Sequence, residues 1–435
     1  MLEAIDALIA AEIGGQGPGV AVAVVKDGDV LHSTTYGYAN LEWGCPITPD
    51  TVFCLASVTK PFTALAVLLL EEQGRLSIAE PVTTYLPEYQ AIWQDITLAH
   101  LLTHTSGIKN YVALDHFWKE LSRADRSPEE LLALVQHLPL EFAPGSRYSY
   151  SNSGYCLLGR VIEAVSGMSY EAFLQSHIFQ PLGMLHSRYM AHEPIIPQRA
   201  SGYEKADHGS IHVPYMSMTL PYAAGSLGST LEDLICWDRA LREQRLVSTE
   251  RYERMYAPVR LTSGRTENYG YGWAFTRYRG HKVAHHAGGV PGFSSFIGRF
   301  LDDDMALIIL SNLDGFNAGK LARKIADLVL KIPGPGREPV FLDAAAQRKV
   351  VGVYADEGSG VVLEEWKIKI AREGDRLTLR GHGFSDDLIP TSESTFYLEH
   401  DEEVELRFED EREDGFHRVT VSYPFYWFGA VRKQD

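Results

Sequence analysis

The spacing of apolar residues along this 435-residue chain changes character several times. Residues 61–70 (PFTALAVLLL) carry almost no polar group, and a helix apolar on every face is a buried helix. Residues 19–26 (GVAVAVVK) and 30–39 flank Asp27-Gly28-Asp29 and read as a β-hairpin. Further strands are expected at residues 283–286, 293–300 and 305–310, and helices at 127–137, 154–165 and 230–242. Residues 331–339 (KIPGPGREP) have the proline and glycine content of a linker, and beyond them the period shortens to two. Trp366, Ile368 and Ile370 alternate with polar residues, as do Leu377 and Leu379, then Val404, Leu406 and Phe408. Turns at Glu373-Gly374-Asp375 and Asp414-Gly415 separate these runs, so a small antiparallel barrel or sandwich is expected there. The expected division is a first domain at residues 1–332, a linker at 333–340 and a second domain at 341–435.

Pattern and chemistry first coincide at Ser57-Val58-Thr59-Lys60. Pro61 is tolerable only in the first turn of a helix, which puts Ser57 at or just before the helix N-terminus. Residues i and i+3 share a helix face, so the Lys60 amine can reach the Ser57 oxygen. Burial lowers a lysine's pKa, and only a neutral amine can take the hydroxyl proton. The unpaired N–H groups and dipole of the helix start favour a developing oxyanion. Read alone, the same residues also describe a serine cap followed by a surface lysine.

Two later segments change that balance. Tyr150-Ser151-Asn152 follows the turn-forming Phe142-Ala143-Pro144-Gly145 and precedes a helical pattern of Tyr155, Leu158, Val161 and Ile162. This places Tyr150 and Asn152 on a loop at a helix start, a common site for functional side chains. His286-Ala287-Gly288-Gly289 opens a glycine-rich turn ending at Gly292, where a substrate could approach the backbone closely. His104 and Ser106 look catalytic in isolation but read as turn residues.

Ser-x-x-Lys, then Tyr-x-Asn, then His-x-Gly, in that order, resembles the penicillin-recognising serine hydrolases: class C β-lactamases, DD-peptidases, D-aminopeptidases and related esterases. Residues 101–107 (LLTHTSG), 224–229 (AGSLGS) and 269–273 (YGYGW) look like further landmarks of that family in their usual order. The resemblance implies an α+β fold, with a β-lactamase/penicillin-binding-protein-like catalytic domain that sets an antiparallel sheet beside an all-helical lobe. The barrel that follows is similar to the lipocalin-like domain appended to some D-aminopeptidases. By the same resemblance Ser57 is the acylated nucleophile, Lys60 its base, Tyr150 the proton carrier to the leaving group, and Asn152 a partner of the substrate amide. The oxyanion would lie between the backbone N–H groups of Ser57 and Gly289, with Gly288 completing the His-x-Gly motif. No cofactor and no metal is implied.

His286 departs from part of that family. β-Lactamases and DD-carboxypeptidases usually carry lysine there, a permanent cation for a substrate carboxylate. Histidine, with a reference pKa of about 6.5, is a weaker carboxylate anchor and a better proton relay toward Tyr150. His-x-Gly resembles the D-aminopeptidases. The first expectation is therefore a D-stereospecific aminopeptidase or amidase on short peptides or amino-acid amides. A carboxylesterase of the same fold comes next, then β-lactamase or DD-carboxypeptidase activity, and last a catalytically idle binding or scaffold member.

Composition narrows the partners. The chain is 45% apolar and 22% charged, as in ordinary globular proteins, and its formal charge of −17 argues against nucleic acid and anionic membranes. A small molecule or short peptide is the expected partner, with a homo-oligomer also possible on sequence grounds. Cys45, Cys54, Cys156 and Cys236 form no C-x-x-C pair and read as reduced thiols. His285 and His286 are neighbours on a strand and point to opposite faces, so they cannot easily share a metal ion. The first residues lack a basic segment and Glu12 interrupts the first apolar stretch, so no signal peptide is read. A cytoplasmic location is expected, or an extracytoplasmic one if the numbering starts at a mature form. Two segments of the second domain, residues 380–384 (RGHGF) and 423–428 (YPFYWF), are candidates to cap the catalytic cleft.

Overall fold

The computed structural model describes residues 1–14, 16–334, 336–356, 367–381, 384–399, 401–423 and 426–432. They fall into one unit of Met1–Phe275 with Gly280–Lys331 and a second of Thr276–Arg279 with Ile332–Asp435.

In the first unit the apolar run at residue 20 forms the strand Val20–Lys26, buried along nearly its whole length. It lies between two antiparallel neighbours, Met305–Ser311 on one side and Asp29–Tyr36 on the other, so both of its edges are paired. Asp27 and Gly28 make the hairpin turn with φ of 55° and 88°. The sheet continues through Phe293–Phe300 to His281–Val290. The strand His281–Val290 runs four residues past the expected end. Gly288 and Gly289 therefore lie in a strand and not in a turn, and the turn falls at Pro291-Gly292. The reason is packing: a Cβ at Gly288 would collide with the Leu55 carbonyl and the Ser295 hydroxyl.

Among the described residues, helices and three small sheets make up most of the rest of this unit. Thr59–Glu72 is buried from Thr59 to Leu70, as its unbroken apolar run requires. Phe62 on it stacks on Trp237 of the Leu231–Arg242 helix, ring centroids 4.0 Å apart. Asn152–Ser166 begins two residues before the expected start, so Asn152 is its first helical residue. The helix expected at 127–137 stops early, at Pro128–Ala133, with Ser127 and Glu130 in a capping box. A further helix, Leu2–Ile13, buries Ile5 and Ile9 completely.

The second unit is a closed barrel of eight antiparallel strands, from Gly352–Asp356 to Tyr426–Arg432. Ile368, Ile370, Leu377, Leu379, Leu406 and Val419 point into one apolar core. Phe408 lies at its centre, 5.4 to 5.9 Å from the rings of Tyr354, Phe396 and Phe416. The two segments considered as caps lie wholly or partly outside the residues described with their side chains, as does Trp366. Among the described residues no helix is long and apolar enough to cross a membrane.

Candidate active site

Ser57 sits in a single turn, Ala56–Val58, that leads into the helix Thr59–Glu72. Ala56 before it has φ 48°, a left-handed conformation that a non-glycine residue adopts at some cost. One helical turn on, the Lys60 Nζ lies 3.2 Å from Ser57 Oγ, 2.8 Å from Asn152 Oδ1 and 2.9 Å from Ala224 O. Lys60 has no exposed surface, and burial drives its pKa well below the usual lysine value. A neutral amine has two N–H donors, which suit the Asn152 and Ala224 oxygens. Its lone pair is left for the Ser57 hydroxyl proton.

The helix holds these acceptors in place by its own pattern. Thr59 Oγ1 accepts from Leu227 N at 3.1 Å, and Thr63 Oγ1 donates to Ala223 O at 2.6 Å. Thr59, Lys60 and Thr63 lie on one helix face, and together they fasten residues 223–227 alongside it.

Tyr150 and Asn152 are held by residues 104–111. Ser151 N donates to His104 Nδ1 at 3.1 Å, and Ser151 Oγ to Ile108 O at 3.0 Å. Asn152 N donates to Asn110 Oδ1 at 3.1 Å, and Ser153 Oγ to Lys109 O at 2.7 Å. The Tyr150 hydroxyl is hydrogen-bonded to Ser57, and burial raises its pKa, so Tyr150 is a phenol at neutral pH. Lys60 Nζ lies 4.5 Å from the centre of its ring. On its other flank His104 packs 4.3 Å from it, centroid to centroid. Because His104 Nδ1 accepts a hydrogen bond, the ring carries its own hydrogen on Nε2, a buried atom with no hydrogen-bond partner among the described residues. His104, read from the sequence as a turn residue, is therefore the backing of Tyr150.

His286 is buried at the strand edge, while Ala287 and Gly289 beyond it are exposed. Its Nδ1 donates to Ala287 O at 2.7 Å, and its Nε2 accepts from the Tyr269 hydroxyl at 3.0 Å. Burial, reinforced by the nearby Lys60 amine, lowers its pKa to about 3. The relay toward Tyr150 expected from the sequence is not formed: the two rings are 6.3 Å apart, and His286 turns to Tyr269 instead. Gly288 packs so closely that a Cβ there would lie 3.0 Å from Ser57 N, whereas a Cβ on Gly289 would meet nothing within 4 Å. The seven residues singled out from the sequence thus converge on one place. Sequence reading missed Ala224 O, Asn110, His104 and Tyr269 as their partners. Three of these, Ala224, His104 and Tyr269, fall in the landmark motifs at 224–229, 101–107 and 269–273, and this was the available signal.

An amine poised on a hydroxyl, a phenol on the same oxygen and a helix start beneath them can form and break an acyl ester. Among the described residues no group of three or more His, Cys, Asp or Glu side chains is placed to hold a metal ion.

Comparison with known proteins follows the same lines. The Beta-lactamase family profile matches residues 5–330. A penicillin-binding protein of Bacillus subtilis is 31% identical over 401 residues, which cover 87% of this chain and 87% of that protein. A D-aminopeptidase of Gluconobacter oxydans is 31% identical over 299 residues, 68% of this chain but only 56% of the relative's length. The octameric penicillin-binding protein homologue from Pyrococcus abyssi superposes with a TM-score of 0.67 at 28% identity, covering 99% of each chain. The resemblance read from the ordered motifs, and the α+β fold followed by a barrel, are borne out.

Proposed function

We propose, because this chain belongs to the β-lactamase family of serine hydrolases, that it is a D-stereospecific aminopeptidase or amidase acting on short peptides or amino-acid amides. The observation that carries the reading is the setting of Lys60: a fully buried amine touching Ser57 Oγ and two other oxygens. Lys60 takes the Ser57 proton as Oγ attacks the substrate carbonyl. The oxyanion forms against the backbone N–H groups of Ser57 and Gly289, each such donor being worth about 3 kcal/mol in the transition state. Tyr150 gives its proton to the leaving nitrogen and recovers one from Lys60, so the site returns to its starting charge. Water then attacks the ester carbonyl, with the same groups working in reverse. Asn152, fixed through its Oδ1 by Lys60, has its amide N–H groups left for the substrate.

Two observations support D-aminoacyl amides in particular: histidine at position 286, and 31% identity to a D-aminopeptidase. A carboxylesterase is the second reading, favoured by the same neutral His286, which offers no cation to a leaving group. Matched D- and L-alanine p-nitroanilides beside p-nitrophenyl butyrate separate the two, with Ser57→Ala as control. Cleavage of the D-anilide alone, lost in the variant, supports the aminopeptidase; rapid ester cleavage with no anilide turnover supports the esterase. The octameric state of the Pyrococcus abyssi relative supports self-association of this chain as well, which light scattering measures directly.

A further inference from the structure

Both ring nitrogens of His286 are already engaged. Nδ1, 2.7 Å from the Ala287 carbonyl oxygen, must carry a hydrogen, because two acceptors would repel at that distance. Burial beside Lys60 keeps the ring neutral, so Nε2 is a lone pair, and Tyr269 fills it with its hydroxyl hydrogen. Tyr269 is itself fixed. It is buried, and its ring lies 4.7 Å from His104 and 5.7 Å from Tyr148. Tyr155 gives its own proton to Leu102 O at 2.9 Å, so it has none to lend to Tyr269.

We propose that Tyr269 determines leaving-group specificity by capping His286: it holds the imidazole neutral and removes the one nitrogen that could grip a substrate carboxylate. The site would then favour leaving groups that end in an amide, anilide or ester over those that end in a free carboxylate. This rests on the preceding reading of Ser57 as the acylated residue. Tyr269 acts through His286 and is a positioning residue. The groups around His286 reinforce the effect. Tyr150, Lys60, His285 and His104 are neutral groups or bases, so a proton on His286 would place a cation beside Lys60. Removing the Tyr269 hydroxyl frees Nε2 to carry a hydrogen toward the cleft. Protonation of the ring then becomes easier as the pH falls toward the ordinary histidine value of about 6.5.

The test uses the full chain and its Tyr269→Phe variant with two substrates differing only at the far end, D-alanyl-glycine amide and D-alanyl-glycine. The ratio of their kcat/KM values cancels the common protonation of Lys60. The wild-type protein should prefer the amide. Tyr269→Phe should narrow that preference by about tenfold, the size of one charge-assisted hydrogen bond, through KM for the acid and more strongly at pH 6 than at pH 8. A ratio unchanged within twofold at both pH values overturns the proposal, whereas a uniform fall in both rates without a change in ratio marks Tyr269 as merely structural and overturns it too. If the wild-type chain cleaves neither peptide, or the variant does not fold, the ring itself is read by long-range nitrogen–hydrogen NMR of the wild-type protein. A His286 resonance in the Nδ1–H form that does not titrate between pH 8 and 5 supports the capping. An Nε2–H form, or titration near the ordinary value, overturns it whether or not the aminopeptidase reading stands.

Discussion

Lys60 in the first unit and Phe408 in the barrel are both almost wholly buried, and their surroundings differ in kind. Around Lys60 stand a serine, an asparagine, a backbone carbonyl and two tyrosine rings. Around Phe408 stand rings and aliphatic side chains, and the neighbouring Tyr354 satisfies its hydroxyl on Val350 O at 3.0 Å. Burial in the barrel adds stability in proportion to apolar area. Burial around Lys60 removes water from an amine that would rather be charged, and the unfavourable desolvation is what makes the amine a base. One region spends burial on holding together, the other on reactivity, and substitutions should separate the two.

The largest effect should follow Lys60→Met, which keeps the volume and removes the base. Turnover of D-alanine p-nitroanilide should fall by about 10³-fold, while a urea melt shows stability little reduced. An equal collapse of stability would put Lys60 in the same class as Phe408. The mirror experiment is Phe408→Ala, expected to cost about 3–5 kcal/mol in the unfolding of the barrel with kcat per folded molecule unchanged. Next comes a pair of neighbours. Gly288→Ala forces the strand away from Leu55 O and should lower kcat by about 10²-fold through misplacement of Ser57. Gly289→Ala adds a methyl group into open space, so its melting temperature should match the wild type and only KM should change.

The smallest effect is an acid sensitivity that three histidines give the first unit. His104, His285 and His286 are all held neutral by burial, with pKa values lowered from 6.5, to about 3 for the latter two. A depressed base means that the unfolded chain binds the proton first, so this stability is complete above pH 6.5 and is lost as pH falls toward 3. Between pH 7 and 6 the loss should be under about 1 kcal/mol for each imidazole, followed by chemical denaturation at the two pH values. None of these three imidazoles belongs to the barrel, so its transition should move less over the same interval.

Much of this was legible in the chain because the relevant contacts are local. Ser57 and Lys60 are one helical turn apart, and their relation follows from the spacing alone. The barrel hairpins announced themselves through alternation and through Gly374 and Gly415, which have the positive φ their turns need. What the sequence hid depends on contacts between distant segments. Ala224 O lies 164 residues from Lys60, and nothing in an alanine reveals that its carbonyl holds an amine. Gly288-Gly289 read as a turn because glycine serves both for turns and for close approach, and only the position of Leu55 distinguishes them. His104 gave no sign that its ring would back Tyr150, 46 residues on in the chain, since a histidine next to a glycine-containing turn has many ordinary roles.

The most direct test labels the protein with a fluorophosphonate and maps the adduct by mass spectrometry, in the wild type and in Lys60→Met. One adduct, on Ser57, formed quickly in the wild type and about 10³-fold more slowly without the amine, is the expected result. Labelling at another residue, or at Ser57 with equal speed in both proteins, would contradict the central claim that buried Lys60 activates Ser57.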